Sequence, residues 1–350
     1  EVLDEHPVSI QVNGQWQTFP NARAAEEAAY GEYKDNLRRT AENFRITDDH
    51  LGEGGPKAKF QANIAAIKLL KYLEETTEQA TPEQQKILSR YVGWGGLADA
   101  FDPEKPAWAA EYTQLKELLT PEEYTAARGS TLNAHYTSPT VIRAIYETVG
   151  RMGFETGNIL EPSCGVGNFF GMLPEKMRNS HLYGVELDPV SGRIAKQLYP
   201  KADITVGGFE TTDRRDFFDL AIGNVPFGQY QVNDKAYNKL NFNIHNYFFA
   251  KALDQVRPGG VVAFVTSRYT MDAKDSTVRR YLAQRAELLG AIRLPNDAFK
   301  KNAGAEVVSD IIFLQKRDRP LDIVPEWTQT GQTEDGFAIN RYFIDHPEMV

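Results

Sequence analysis

Hydrophobic spacing changes character along this chain, and the change divides it into three parts. In residues 8–19 apolar and polar positions alternate on both sides of Asn13-Gly14, the pattern of a small β-hairpin. The spacing then turns helical and predicts helices over 22–38, 57–75, 82–91 and 121–128. Thr81-Pro82 and Thr120-Pro121 announce the last two as cap and first turn. Between these helices, residues 52–56 read as a glycine-rich loop and Tyr91-Val-Gly-Trp-Gly-Gly-Leu97 as a turn around a packed Trp94.

From residue 133 onward helix and strand alternate. Ser138 caps and Pro139 opens an apolar-periodic helix that runs through Gly150. Short apolar runs predict strands at 158–161, 182–186, 203–206, 217–223, 260–265, 288–293 and 309–314. Seven strands separated by helices imply an α/β fold with a seven-stranded doubly wound sheet, preceded by a mainly helical N-terminal region. The expected division is residues 1–130, 131–320 and a C-terminal extension over 321–350. Strands of such sheets end at a shared ligand crevice, so chemistry is sought at their C-terminal ends.

Two of those ends carry it. The run ending at Glu161 opens into Pro162-Ser-Cys-Gly-Val-Gly-Asn168, where Gly165 and Gly167 allow the backbone close to a ligand. By itself the turn fits many nucleotides, and it lacks the third glycine of the dinucleotide fingerprint. Glu186, closing the next strand, is a candidate for ribose hydroxyls, a role found with NAD as well. The strand over 217–223 ends in Asn224-Val225-Pro226-Phe227. An adenine amine is a weak nucleophile because its lone pair is conjugated with the ring. Two acceptors that draw its N–H bonds out of plane would free that lone pair. The Asn224 amide oxygen and the Val225 carbonyl can be those acceptors. Pro226 stiffens the turn, and Phe227 offers a face for an extruded base.

These residues resemble the gamma-class amino-methyltransferases, chiefly adenine-N6 DNA methyltransferases with an Asn-Pro-Pro-Tyr/Phe motif. The segments from Glu161 to Phe169 and from Leu294 to Lys316 are most similar to type I modification subunits and to the methylase region of helicase-linked proteins on mobile elements. The resemblance covers roughly residues 133–317. It implies a Rossmann-like methyltransferase fold, S-adenosylmethionine as cofactor and DNA as partner. It also implies a cofactor site of Tyr136, Thr137, Glu161, Pro162, Gly165, Gly167, Asn168, Glu186, Leu187 and Phe209, with Glu161 pairing the cofactor's ammonium group. Two positions depart from the pattern. Val225 stands where the first proline is usual, which keeps the carbonyl but not the rigidity. Gly208 stands before Phe209 where relatives often carry an acid, and Glu210 is the nearest substitute.

Composition agrees with a folded intracellular enzyme: 350 residues, 41% hydrophobic. A single cysteine, Cys164, excludes an internal disulfide framework and reads as packing within the cofactor loop. No leader or bilayer-spanning stretch is apparent, which points to the cytoplasm and away from membranes. His135 and His245 have no metal-ligand spacing, so no metal is expected. The net charge of −9 is awkward for a DNA enzyme, since phosphate contacts need local positive surface. Arg268, Lys274, Arg279, Arg280, Arg285, Lys300 and Lys301 are the candidates, with a merely solvated helix face as the plain alternative. The chain starts at Glu1 and stops at Val350 within charged text, as a piece of something longer would. Only about thirty residues follow Arg317, so base reading is expected from the N-terminal region, from further target-recognition or helicase domains of the polypeptide, or from another subunit.

Three other functions stay open. An RNA base or a protein glutamine amide also suits Asn-x-Pro-aromatic. A non-catalytic, cofactor-binding anti-restriction or scaffolding module would keep the fold. A nicotinamide enzyme would need hydride-handling groups that are not found.

Overall fold

The computed structural model describes residues 6–131, 136–295 and 308–350. Strands β1 (Val8–Val12) and β2 (Gln15–Phe19) form the expected antiparallel hairpin. Helix α1 (Ala22–Thr40) follows, capped by the Asn21 side chain, and then α2 (Pro56–Glu75) and α3 (Pro82–Leu88). Thr81 and Gln84 make a reciprocal capping box at the start of α3. That helix stops at Leu88, short of the predicted end, because the chain turns there into the Tyr91–Leu97 segment. Asn63, wholly buried on α2, holds the turn from two sides: it donates to the Gly93 carbonyl (2.6 Å) and accepts from Val92 N–H (2.9 Å). Helix α4 (Ala109–Leu118) was not apparent in the sequence, whereas α5 (Pro121–Ser130) carries the expected Thr120 cap with Glu123 as its partner. Helix α6 (Pro139–Arg151) begins as expected, with Ser138 accepting from Val141 N–H.

The remainder alternates as read. It comprises β3 (Asn158–Glu161), α7 (Asn168–Gly171), β4 (His181–Glu186), α8 (Pro189–Leu198), β5 (Asp203–Val206) and β6 (Phe218–Asn224). After these come α9 (Ile244–Gln255), β7 (Val256–Ser267), α10 (Tyr269–Asp272), α11 (Thr277–Arg285), β8 (Ala286–Arg293) and β9 (Ser309–Lys316). All seven strands join one sheet in the order β5-β4-β3-β6-β7-β9-β8. The strand order reverses at β3, and β9 lies antiparallel between β7 and β8. Strand-helix alternation reveals the number of strands but not this one reversed direction.

The sheet is covered on both faces by continuous apolar packing. One hydrophobic core runs from Phe60, Ile67 and Trp94 in the N-terminal helices through Ile142 and Ile159 to Phe313 in the sheet. The N-terminal region therefore shares its core with the sheet. The two are also stitched by hydrogen bonds from Phe44 N–H to the Leu198 carbonyl (2.8 Å) and Ile46 N–H to the Gly171 carbonyl (2.9 Å). Arg193 on α8 adds an ion pair with buried Glu123 of α5 (2.6 Å). The C-terminal extension is equally tied down. Its short hairpin, β10 (Thr330–Gln332) with β11 (Ala338–Asn340), packs beside α10, and buried Asn340 donates to the Met271 and Trp327 carbonyls.

Among the described residues, no helix is long and apolar enough to cross a membrane, and no three His, Cys, Asp or Glu side chains gather in a metal-binding group.

Candidate active site

A cavity of about 500 Å³ opens at the C-terminal ends of β3, β4 and β6, beside the point where the strand order reverses. The turn after β3 forms its floor. Gly165 and Gly167 have φ of 55° and 85°, left-handed values that side chains resist. Gly165 lies on the cavity wall. Gly167 does not; a Cβ there would come within 2.5 Å of the Tyr199 ring, so this glycine serves close packing behind the wall.

Two carboxylates flank the turn. Glu186 accepts from Gly165 N–H (2.6 Å) and from Asp188 N–H (2.8 Å), which ties the end of β4 to the loop after β3. Burial pushes its carboxyl up to about 7, although the Asp188 and Gly165 amides favour the ionised form. Glu161 is only 2% exposed, and its Oε2 has no hydrogen-bond partner. Burial, and then the charge of Glu186, raise the Glu161 carboxyl well above the usual range. Burial, and then the charges of Glu161 and Glu186, keep Cys164 a buried thiol, a packing group and not a nucleophile.

Asn224 closes β6, the strand paired with β3. Its Nδ2 donates to Thr137 Oγ1 (3.0 Å), and its backbone carbonyl accepts from Ser163 Oγ (3.0 Å). The segment before α6 and the turn after β3 thus meet at this one residue. Val225 N–H continues the sheet to the Val265 carbonyl (3.1 Å). Val225 and Pro226 line the cavity together with Asn224, but Phe227 does not; it packs partly buried against both hydrophobic cores.

Of the sequence-derived cofactor residues, Tyr136, Thr137, Pro162, Asn168, Leu187 and Phe209 line this cavity, as do both glutamates and Gly165. Glu210 lines it too, its carboxylate folded over Gly208. Two groups of wall residues escaped the sequence reading. One comes from the N-terminal region: Tyr91, Val92, Gly93, Ala126, Gly129 and Ser130. The other comes from the segment after Asn224 and the start of α9: Tyr230, Val232, Ile244 and Phe248. Only the first left a trace in the sequence, as the glycine-tryptophan turn. His245 nearby is buried, and burial holds its imidazole neutral by pushing its pKa down to about 4.

The basic candidates separate. Arg268 and Arg280 are exposed, and the Arg268 guanidinium lies 5.0 Å from the Tyr269 ring centre. Arg279 is a correction. It is 1% exposed and donates to the Thr328 (2.8 Å) and Ala273 (2.8 Å) carbonyls, so it fastens the C-terminal extension to α11 and cannot reach a phosphate. Arg285 is likewise engaged, 3.6 Å from the Tyr281 ring centre. Lys300, Lys301, Phe299 and His135 lie outside the described residues.

Comparison with known proteins gives this geometry a context. Residues 199–299 match the family described as "Eco57I restriction-modification methylase". "Defense against restriction protein B" of Escherichia phage P1 is 28% identical over 272 residues, 76% of this chain and 10% of that protein. "Type II methyltransferase M.CvrRI" of Paramecium bursaria Chlorella virus XZ-6E is 42% identical over 83 residues, 24% of this chain and 21% of its own. "Type II methyltransferase M.TthHB8I" of Thermus thermophilus is 27% identical over 186 residues, 48% and 42% of the two chains. The chain spans less than half the length of each of these relatives. Among solved structures, a chain of a type I restriction–modification system superposes with a TM-score of 0.44 at 16% identity, covering 84% of this chain and 67% of the other. Over the matched residues the chain is similar to restriction-modification methylases.

Proposed function

We propose that this methylase-like chain transfers a methyl group from S-adenosylmethionine to the exocyclic N6 amine of adenine in DNA, with the base flipped into the Asn224 end of the cavity. One observation carries the reading: a single cavity is lined both by Glu161 and Glu186 and by Asn224, Val225 and Pro226. The cofactor fits the first set. A buried carboxylate oxygen without a partner, Glu161 Oε2, is a standing penalty that an ammonium donor would relieve. Each oxygen of Glu186 accepts one backbone N–H and has a further lone pair for a ribose hydroxyl. A nicotinamide dinucleotide would satisfy Glu186 but brings no ammonium group to Glu161.

When bound, S-adenosylmethionine supplies an electrophilic methyl group. The chain's own residues prepare the nucleophile. With Nδ2 of Asn224 directed at Thr137 Oγ1, Oδ1 is the amide atom able to accept from an amine. Oδ1 and the Val225 carbonyl would take the two N–H bonds of the amine, localise its lone pair and stabilise the positive charge that develops on nitrogen. The Ser163 hydroxyl on the Asn224 carbonyl holds this end of β6 to the cofactor loop. DNA contact is assigned to Arg268 and Arg280, and sequence selection to parts of the polypeptide or partners other than this sheet.

Incubation of the chain with unmethylated DNA and methyl-labelled S-adenosylmethionine, then digestion to nucleosides, tests this. Label is expected in N6-methyladenine. Label in cytosine, RNA or protein alone would overturn the adenine assignment. A second reading rests on the phage P1 relative, whose name speaks of defence against restriction. A chain that binds the cofactor tightly and labels nothing would support a non-catalytic anti-restriction module.

A further inference from the structure

The glycine-tryptophan turn between α3 and α4 belongs to the N-terminal region, yet three of its residues, Tyr91, Val92 and Gly93, line the cavity. Its shape is imposed from behind. Asn63 of α2 is wholly buried and not on the cavity wall; it donates to the Gly93 carbonyl (2.6 Å) and accepts from Val92 N–H (2.9 Å). One amide thus holds two adjacent residues of the turn, and Gly93 has a left-handed φ of 74° that a side chain would resist. Trp94, 1% exposed, anchors the next position with its ring edge-on to those of Phe60, Tyr91 and Phe101. Val92 and Gly93 themselves are only half-buried.

Two contacts say what the turn faces. Burial, and then the charge of Asp188, push the Tyr91 hydroxyl well above its usual range, and Glu186 adds to the shift, so the turn lies against the end of β4. A Cβ on Gly52 would come within 3.2 Å of Tyr136 Cζ and 3.3 Å of Val92 Cγ1, so Val92 and Tyr136 share one packing point. The turn therefore joins the cavity wall between the carboxylate assigned to ribose and the segment before α6. There Val92 offers apolar surface, and the groups bonded to Asn63 need no partner from a ligand.

We infer that Val92 and Gly93 contact the adenosine half of S-adenosylmethionine, and that Asn63 is the positioning residue that holds them in place. The N-terminal helical region then supplies part of the cofactor site. This rests on the cofactor assignment above, not on the identity of the methyl acceptor. Calorimetric titration with S-adenosylmethionine and with 5′-methylthioadenosine, which lacks the amino-acid half, tests it. Asn63→Ala should weaken both ligands equally, by about tenfold. Val92→Ala should also weaken both equally, by about three- to tenfold, and melt close to the parent, which excludes a folding defect. The double variant should lose less than the product of the two factors, because Asn63 acts through the turn. Glu161→Gln should weaken S-adenosylmethionine alone, since only that ligand brings an ammonium group. Three results would overturn the inference: parent affinity in Val92→Ala, a lowered melting temperature with unchanged affinity in Asn63→Ala, or losses confined to S-adenosylmethionine. A parent that binds S-adenosylmethionine but not 5′-methylthioadenosine would overturn it too. A parent that binds neither removes the cofactor assignment as well, whereas one that binds both and labels no adenine removes only the methyl acceptor.

Discussion

The two sets of strand-end residues that line the cavity differ in their surroundings. Around Glu161 and Glu186 the cavity is lined by strand ends, a glycine turn and residues of the N-terminal helices; Glu161 is buried and Glu186 half-buried. Asn224 ends one strand and opens one long loop, pinned by the buried Asp234–Lys251 ion pair and carrying the exposed Tyr230 ring. A small diffusible cofactor can be met by a rigid, desolvated site that gains from satisfying buried carboxylates. A base that must swing out of a polymer needs an open mouth. The contrast predicts that substitutions will divide cleanly into those that move cofactor affinity and those that move base binding or transfer.

The largest effect is expected at the buried ion pair that anchors the segment after Asn224. Asp234→Ala leaves the Lys251 ammonium buried without its partner, and removal of one member of a buried pair costs about 3–5 kcal/mol. Urea denaturation should show that loss, while cofactor affinity of the folded fraction stays within a few fold. Equal weakening of cofactor binding would mean that the two sets are one cooperative unit.

Asn224→Ala comes next. Transfer should fall at least about a hundredfold, or about 2.7 kcal/mol, as for loss of one preorganised polar contact at the reacting group. Cofactor binding by calorimetry should barely change. Methylation at the parent rate would show that Asn224 is not the acceptor.

In the first set, Glu186→Ala should weaken S-adenosylmethionine binding by about 1–3 kcal/mol without altering DNA affinity. The same carboxylate predicts a pH dependence. With its free-state value near 7, Glu186 is partly protonated in the empty site, and hydroxyl donors to the ionised form lower that value on binding. Affinity should therefore rise with pH by at most about tenfold per unit up to neutrality and then level off. For folding the sign is opposite: a carboxyl raised in the native state favours it at low pH, and that advantage disappears as pH climbs from the ordinary carboxylate range through 7. Glu186→Gln should flatten the binding profile; an unchanged profile would place the titrating group elsewhere.

The smallest effect concerns the rim. Arg268→Ala and Arg280→Ala should each reduce the slope of log DNA affinity against log salt by about 1, in proportion to phosphates released. Arg279→Ala should leave the slope alone and lower the melting temperature, because its guanidinium holds Thr328 and Ala273. A slope change for Arg279→Ala would show that its guanidinium reaches a phosphate after all.

Much of this architecture was legible in the order of residues. Apolar runs marked the central strands β6, β7 and β9, which are buried on both faces over most of their length, whereas the edge strands β5 and β8 alternate buried and exposed positions. The caps at Thr81, Thr120 and Ser138 were readable because a cap is a contact between residues three apart. The turn after Glu161 and the Asn224 segment were likewise local signals, so both sets of lining residues could be named. What resisted reading depends on contacts across long stretches of sequence. Arg279 sits on a helix face that looks solvated until Thr328 returns to cover it. Phe227 and Tyr230 are three residues apart and chemically alike, and only the tertiary packing decides which ring lies against the two cores and which lines the cavity.

The sequence by itself thus determined the elements, their caps and the chemical groups at two strand ends, since each follows from periodicity and short-range hydrogen bonding. The tertiary structure decided the reversed direction of β9, the place of Tyr91 to Gly93 on the cavity wall, and the burial that lifts Glu161 and Glu186. Those are effects of desolvation and of neighbours up to a hundred and more residues away. No window of sequence contains them, because the dielectric around a carboxylate is a property of everything folded against it.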